Sequence, residues 1–286
     1  MIPKVIHYLW LSDEKTPEIE QCLATWREKL IGYEIREWNK TNFPYQDFLW
    51  TREAYSMKKW AFVTDYFRLW VLYNYGGIYM DADVTMFGTF EQFLEQPMFI
   101  GTESVNKIES HVIGAMKGHP YIHHCLQYYN NKHFIREDGS LDMMPIPNIM
   151  TRIFMSLYHY DGVLNRFDGT PIKFKDITIY PDTYFTIRTY DGNNVCYHHA
   201  FGSWRDKTTP QNSLVEDYIG NYYITRYFST KIFHIHKGLK KVLFLIMPIG
   251  LLAIRYRRRL KIKSNKRIKA VDISNIGLAE GSNDVN

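Results

Sequence analysis

Apolar and polar positions along the chain alternate between two periods. Val5–Leu11 is apolar and β-branched at its start and turns polar at Ser12-Asp13, which predicts a buried strand. Pro17–Leu30 then sets Ile19, Cys22, Leu23, Trp26 and Leu30 at helical spacing. Tyr33–Trp38 alternates and predicts a second strand. A helix between two strands predicts a βαβ unit and a parallel sheet, so the fold class expected is α/β.

Lys58–Tyr75 is apolar nearly all round, through Trp60, Ala61, Val63, Phe67, Leu69, Trp70, Val71 and Leu72. Such a helix must be buried on most of its sides. Gly76-Gly77 ends it, because glycine takes the left-handed cap conformation at little cost. Ile78–Met80 reads as a short strand that delivers Asp81 and Asp83 to its end. Beyond it, Phe90–Phe99 and His111–Asn130 read as helical, Pro145-Ile146-Pro147 as a turn, and Ile149–Tyr160 as a helix. Ile177–Tyr180 and Val195–His198 read as late strands. The chain carries no internal repeat.

At about Ser229 the character changes. Val242–Ile254 is an unbroken run of apolar and small residues between Lys240-Lys241 and Arg255-Tyr256-Arg257-Arg258-Arg259. As a helix it would rise only ~20 Å against a hydrocarbon core of ~30 Å. Basic residues on both sides suit a segment lying in the plane of an anionic leaflet, with 237–263 as the membrane-facing stretch. A core helix with a solvated basic end is the alternative. The organisation expected is an α/β domain over 1–228, a basic and hydrophobic tail over 229–270, and a polar, disordered end over 271–286.

Charge sharpens this division. The 286 residues carry a net charge of +5, yet residues 231–270 alone hold 13 Lys and Arg and no acid. The first 230 hold 22 basic against 27 acidic side chains. A mildly acidic body argues against nucleic acid as a partner, which needs a basic face to neutralise phosphates. The cysteines, Cys22, Cys125 and Cys196, form neither a disulfide framework nor a zinc pattern and point to a reducing compartment. The strand at Pro3-Lys4-Val5-Ile6-His7-Tyr8 leaves no room for a signal peptide before the fold.

Candidate chemistry gathers in the middle of the body. Asp81-Ala82-Asp83 sets two carboxylates at i and i+2 on a strand end, hence on one face. Such a pair can hold a hard divalent cation against a diphosphate and stabilise the charge that grows as a nucleotide leaves. Alone, Asp-x-Asp is a weak signal. Here a buried helix, a Gly-Gly stop and an apolar strand bring it to the carboxyl end of a sheet, where ligands of open α/β folds bind. Asp65 and Arg68 lie three apart in the apolar helix and share a face. Charges in that setting are costly unless paired or used, so they form either a structural pair or part of a sugar site.

Three segments together carry a resemblance to a known family: Ile2-Pro3-Lys4-Val5-Ile6-His7-Tyr8-Leu9-Trp10, Ala61-Phe62-Val63-Thr64-Asp65-Tyr66-Phe67-Arg68, and the Gly-Gly segment ending in Asp-x-Asp. Over roughly residues 1–205 the chain resembles glycosyltransferase family 32. That family includes bacterial capsular and lipooligosaccharide transferases and fungal initiating mannosyltransferases, and is related to the catalytic domains of clostridial glucosylating toxins. The resemblance implies a GT-A fold, a Mn²⁺ or Mg²⁺ ion and retention of anomeric configuration. It implies that Trp10 stacks on the nucleotide base, that Asp65 and Arg68 contact the donor sugar, that Asp81 contacts ribose and sugar, and that Asp83 ligates the metal. His198-His199-Ala200-Phe201-Gly202-Ser203-Trp204 resembles the family's closing loop. There Ser203 and Trp204 would cover the leaving phosphate and one histidine would complete the metal shell, His199 first and His198 second, since neutral imidazole can ligate Mn²⁺. Lys207 could approach the diphosphate. Gly114–Pro120 reads as scaffold at the start of a helix, and Glu103–His111 and Met144–Asn148 as the acceptor region.

The activity expected is transfer of a hexose from a UDP- or GDP-sugar to a glycan or lipid-linked glycan. No carboxylate stands out as a covalent nucleophile, which favours same-face attack with the departing phosphate oxygen taking the acceptor's proton. The setting expected is the cytoplasmic face of a bacterial cell membrane, in surface or capsular polysaccharide synthesis. Two rivals stand beside it: a metal-dependent nucleotide-sugar hydrolase and a non-catalytic membrane-associated binding module. Donor sugar, base, acceptor and linkage are not specified by these residues.

Overall fold

The structure is a computed structural model that describes residues 1–104, 106–165, 169–188 and 194–201. Ser203, Trp204, Lys207 and the whole basic tail lie outside the described residues.

The first βαβ unit forms as its periodicity requires: β1 (Val5–Leu9), α1 (Pro17–Lys29) and β2 (Glu34–Trp38), with β1 and β2 parallel and Val5 level with Glu34. After α2 (Leu49–Ser56) comes α3 (Trp60–Tyr75), then β3 (Gly77–Met80), which joins β1 on its other side, again parallel, with His7 level with Tyr79. The chain continues through β4 (Val84–Met86), β5 (Met98–Ser104), β6 (Lys107–Ala115), α4 (Pro120–Gln127), α5 (Ile146–Leu157), β7 (Ile172–Lys173), β8 (Thr178–Tyr180), α6 (Asp182–Phe185) and β9 (Cys196–His198). Seven strands make one mixed sheet in the order β2-β1-β3-β6-β5-β8-β7, and β4 pairs with β9 in a small second sheet. The antiparallel pairs are β3–β6, β5–β6 and β7–β8 in the large sheet and β4–β9 in the small one. A mixed sheet flanked by helices is the α/β architecture that the resemblance implies.

Both faces of the sheet are covered, so its strands are apolar on both sides. Tyr79 of β3 belongs to the core under α2, α3, α4 and α5, whereas its neighbours Ile78 and Met80 point into the other core, with Trp26 of α1 and Phe185 of α6. On β6, Ile113 and Val112 divide in the same way.

Two predicted helices are cut short by strands. Phe90–Phe99 yields only a single 3₁₀ turn at Glu91–Phe93, and β5 starts at Met98. Pro97 explains the break, since it offers no N–H and disfavours helical geometry at Gln96. His111–Asn130 is divided: His111–Ala115 completes β6, and the helix runs only over Pro120–Gln127. Gly114 decides this, because a β-carbon there would lie 2.0 Å from the Phe99 ring on β5, so the two strands approach closely at a residue without a side chain. Gly114–Pro120 is therefore a strand end, a turn at Gly118 (φ +74°) and a helix start. Proline at the first position of α4 and in the first turn of α5 is tolerated because those N–H groups have no helical partner.

The Gly76-Gly77 stop is required by space as well as by conformation. Both residues have positive φ, +68° and +103°, and a β-carbon would lie 2.7 Å from the Lys117 nitrogen at Gly76 and 2.7 Å from the Val5 carbonyl oxygen at Gly77. Beside them His7 is fully buried. The Trp38 indole N–H donates to His7 Nδ1 at 3.1 Å. An indole nitrogen can only donate, so the imidazole proton is on Nε2, which donates to the Gly76 carbonyl at 2.9 Å. This neutral ring locks β1, β2 and the helix stop together, and burial pushes its pKa down to about 4.

In the unfolded chain this ring takes its proton near pH 6.5, and in the folded chain only near pH 4. Between those values the unfolded state binds more protons, so stability is full above pH 6.5 and falls as the pH drops, by about 3 kcal/mol in all. Urea unfolding at pH 7 and pH 4.5 should show this loss in the wild type and a smaller one in His7→Gln. Equal losses in the two proteins would rule the explanation out.

Candidate active site at the end of the third strand

After Met80 the backbone leaves β3 and turns over Asp81-Ala82-Asp83 into β4. The Val84 amide donates to the Asp81 carbonyl at 3.2 Å, and the Asp81 amide to the His111 carbonyl at 2.9 Å. The two carboxylates thus occupy a turn rather than the strand end expected of them. They converge nonetheless: one oxygen of Asp81, one of Asp83 and one ring nitrogen of His198 all lie within 4.8 Å of one another. Because β3 is parallel to β1, this turn lies at the carboxyl end of both strands, the edge at which Trp10 follows β1.

α3 runs back along the sheet, so its first half reaches the same edge. Asp65 and Arg68, both buried, share one face, as their spacing requires. Arg68 Nη2 donates to Asp65 Oδ1 at 2.8 Å, and Nη1 to the Ser110 carbonyl at 2.5 Å. Nη1 also lies 3.5 Å from Asp81 Oδ1, which accepts from the Tyr79 hydroxyl. The guanidinium carbon stands 4.7 Å from the centre of the Tyr79 ring. Burial disfavours the Arg68 charge, but Tyr79, Asp81 and Asp65 outweigh it and hold its pKa above the usual arginine range. Burial raises Asp65 to about 7 despite Arg68 beside it, and Asp81 adds to the rise.

The last limb is β9, which pairs with β4 so that His198 lies opposite Val84. His198 Nε2 lies 3.2 Å from Asp83 Oδ1 and 4.0 Å from Asp81 Oδ2. Of the two histidines, it is thus His198, placed second from the sequence, that faces the aspartates. Neighbouring side chains along an extended strand point to opposite sides, so only one can face the aspartates. His199 turns away, with Nε2 2.8 Å from the Thr85 hydroxyl, and meets Asp83 only through its amide, which donates to the Asp83 carbonyl at 3.1 Å. Burial lowers the pKa of both imidazoles, but in His198 the Asp83 carboxylate, then Asp81 and Glu109, reverse the effect and raise it to about 9. Asp83 is correspondingly held well below the ordinary carboxylate range, burial being outweighed by His198. Its Oδ2 accepts from the Phe201 amide at 3.1 Å, past a left-handed turn at Ala200 (φ +54°).

Trp10 is half-buried at the rim, its indole N–H on the Glu14 carbonyl at 3.2 Å and Lys15 Nζ 5.9 Å from its ring centre. The structure thus brings Asp65, Arg68, Asp81, Asp83 and His198 into one cluster and puts Trp10 at the same edge. Sequence reasoning passed over Tyr79 and placed Glu109 and His111 only within the acceptor region Glu103–His111, whereas the structure buries both behind His198. Reading the stretch from His111 as helix hid the period-2 alternation that puts Glu109 and His111 on one face of β6.

Residues 16–100 match the family model described as the glycosyltransferase sugar-binding region containing DXD motif. The matched residues run from the start of α1 into β5 and include Asp65, Arg68, Asp81 and Asp83. Among curated proteins, inositol phosphoceramide mannosyltransferase 3 of Schizosaccharomyces pombe is 31% identical over 133 residues, 42% of this chain and 35% of that protein. Mannosyl phosphorylinositol ceramide synthase CSH1 of Saccharomyces cerevisiae is 25% identical over 146 residues, 47% of this chain and 38% of that protein. The chain spans less than half the length of the curated relatives it matches. Among solved structures, PaToxG glycosyltransferase matches with 16% identity and a TM-score of 0.43, over 54% of this chain and 68% of that one.

Removing Arg68 should cost more than its hydrogen bonds, because Asp65 must then take up a proton to stay buried and Asp81 loses its counter-charge. Arg68→Met should lower the unfolding free energy by about 3 kcal/mol or more. A change below about 1 kcal/mol in urea unfolding, the size of an ordinary surface substitution, would show that Asp65 and Asp81 need no buried cation.

Proposed function

We propose that this protein is a retaining hexosyltransferase that binds a nucleotide sugar at the β3 edge, with a divalent cation held by Asp81, Asp83 and His198. The observation that carries the reading is the convergence of those three side chains next to the buried Asp65–Arg68 pair, in a turn that belongs to the family's sugar-binding region. Two hard carboxylate donors and one imidazole suit Mn²⁺ or Mg²⁺, and three protein ligands leave positions for diphosphate oxygens. When bound, such an ion would neutralise charge on the departing nucleoside diphosphate.

The chain's own residues supply the rest. Asp65, partly ionised near neutral pH and fixed by Arg68, accepts hydrogen bonds from donor-sugar hydroxyls. Arg68, held charged, offsets the charge on Asp65 and anchors Asp81. Asp81 reaches ribose and sugar, with Tyr79 setting its rotamer. Trp10 offers a ring for the base at the rim. Ser203 and Trp204 follow the latch between Phe201 and Asp83 in sequence and are proposed to cover the leaving phosphate. Phosphate oxygen would take the acceptor's proton on the face from which it departs, with retention.

The acceptor is proposed to be a glycan or a lipid-linked glycan. The yeast relatives are named for mannosyl transfer to inositol phosphoceramide, which makes mannose the first hexose to try, from a GDP- or UDP-linked donor. These relatives are fungal, so the bacterial, capsular setting expected from the sequence has no counterpart among them. Among the described residues no helix is long and apolar enough to cross a membrane. Attachment to an anionic cytoplasmic leaflet through 237–263 is proposed from the sequence alone. Co-sedimentation of the full chain with vesicles containing an anionic lipid should fall steeply as salt rises and on reversing Arg257, Arg258 and Arg259 to Glu. Binding indifferent to both would remove the tail from the account.

The cation reading is tested with Mn²⁺ and a panel of nucleotide sugars. Asp83→Ala should abolish donor turnover and leave the fold intact, and His198→Ala should weaken Mn²⁺ binding by more than about tenfold. His199→Ala should stay within about threefold, since its ring faces Thr85. Turnover retained in Asp83→Ala refutes the role of the cation. Donor consumption at the same rate with or without any acceptor favours the hydrolase.

A further inference from the structure

Behind the three candidate ligands, β6 buries a second pair of polar side chains that the proposed reaction does not use. Glu109 and His111 stand two apart on that strand and so face the same way. Glu109 is entirely buried. Its Oε2 lies 2.9 Å from His111 Nε2, out of line for a hydrogen bond, and accepts from the Thr186 hydroxyl just after α6. Its Oε1 has no hydrogen-bond partner among the described residues. Across the sheet, β5 makes room with Gly101, where a β-carbon would come within 2.6 Å of the Glu109 carboxyl group. A buried carboxylate with an unsatisfied oxygen costs more than an apolar side chain filling the same space. Stability therefore gives no account of why an acid stands there.

What it faces is the next ring, with His111 Nε2 2.9 Å from its Oε2. The His111 imidazole stacks on that of His198, with centroids 4.1 Å apart and planes 21° from parallel. His198 in turn aims Nε2 at Asp83 and Asp81. The order from the interior outward is Glu109, His111, His198 and the aspartate pair. Rotation of an imidazole about its last torsion is soft, so a metal-binding ring needs something beside it to fix its plane.

We propose that Glu109 and His111 are positioning residues for the cation site. They hold the plane of the His198 ring so that Nε2 stays between Asp81 and Asp83, and thereby set the affinity for a divalent cation without touching the ion or the donor. The inference rests on the cation reading given above.

The experiment is a Mn²⁺ titration of the full chain, followed by the electron paramagnetic resonance of the free ion, with urea unfolding measured alongside. Glu109→Gln and His111→Phe should each weaken Mn²⁺ binding about tenfold or more. The double variant should bind no more weakly than the worse single one, because both act on the same ring. If Glu109→Gln does not fold, Thr186→Val leaves the acid in place and should still weaken binding, by about threefold. A merely structural role would lower the urea midpoint and leave Mn²⁺ affinity unchanged. Folded variants within about twofold of wild type overturn this proposal alone. A wild-type chain that binds no Mn²⁺, or keeps its affinity in Asp83→Ala, overturns the cation reading and this one with it.

Discussion

One buried cation organises the candidate site. The Arg68 guanidinium leaves α3 and meets Asp65 on its own helix, the Ser110 carbonyl on β6, the ring of Tyr79 on β3, and Asp81 in the turn beyond. Charge in the interior is tolerated only where every donor finds an acceptor and every carboxylate a counter-charge. Satisfying this arginine fixes where the helix lies along the sheet, and so where Asp65 and Asp81 stand relative to each other. The Gly76-Gly77 stop makes that possible, because only residues without a β-carbon let the chain reverse from α3 into β3 against Val5 and Lys117.

The second half of the site comes from another part of the chain. Asp83 is tied to β9 and the residues after it at three points: His198 on one carboxylate oxygen, the Phe201 amide on the other, and the His199 amide on the carbonyl. A two-stranded pairing, β4 with β9, brings a residue more than a hundred positions away to the Asp-x-Asp turn. The family match ends at residue 100, before this limb, so the match covers Asp65, Arg68, Asp81 and Asp83, and the structure alone brings the histidine to them.

Electrostatics separates the two halves. Around Asp65, burial dominates and raises its pKa to about 7. Around Asp83, His198 outweighs burial and holds the carboxylate well below its ordinary range. Two carboxylates of one site held in different protonation ranges by their surroundings are what the proposed reading asks of a pocket for neutral hydroxyls on one side and a charged diphosphate on the other.

Local sequence determined a good deal of this. The period-2 and period-3.6 patterns gave β1, α1, β2, α3 and β3 to within a few residues, and the spacing of Asp65 and Arg68 put them on one face, because helical geometry is a property of neighbours along the chain. What only the tertiary structure decided was anything that depends on a partner distant in sequence. Met98–Ser104 and His111–Ala115 are strands because they pair with each other across Gly114 and Phe99, which no local period records. The Asp-x-Asp carboxylates converge through a turn whose amide is held by the His111 carbonyl. The choice between His198 and His199 was set by the register of β9 on β4, since adjacent side chains on a strand face opposite ways and a one-residue shift would exchange them.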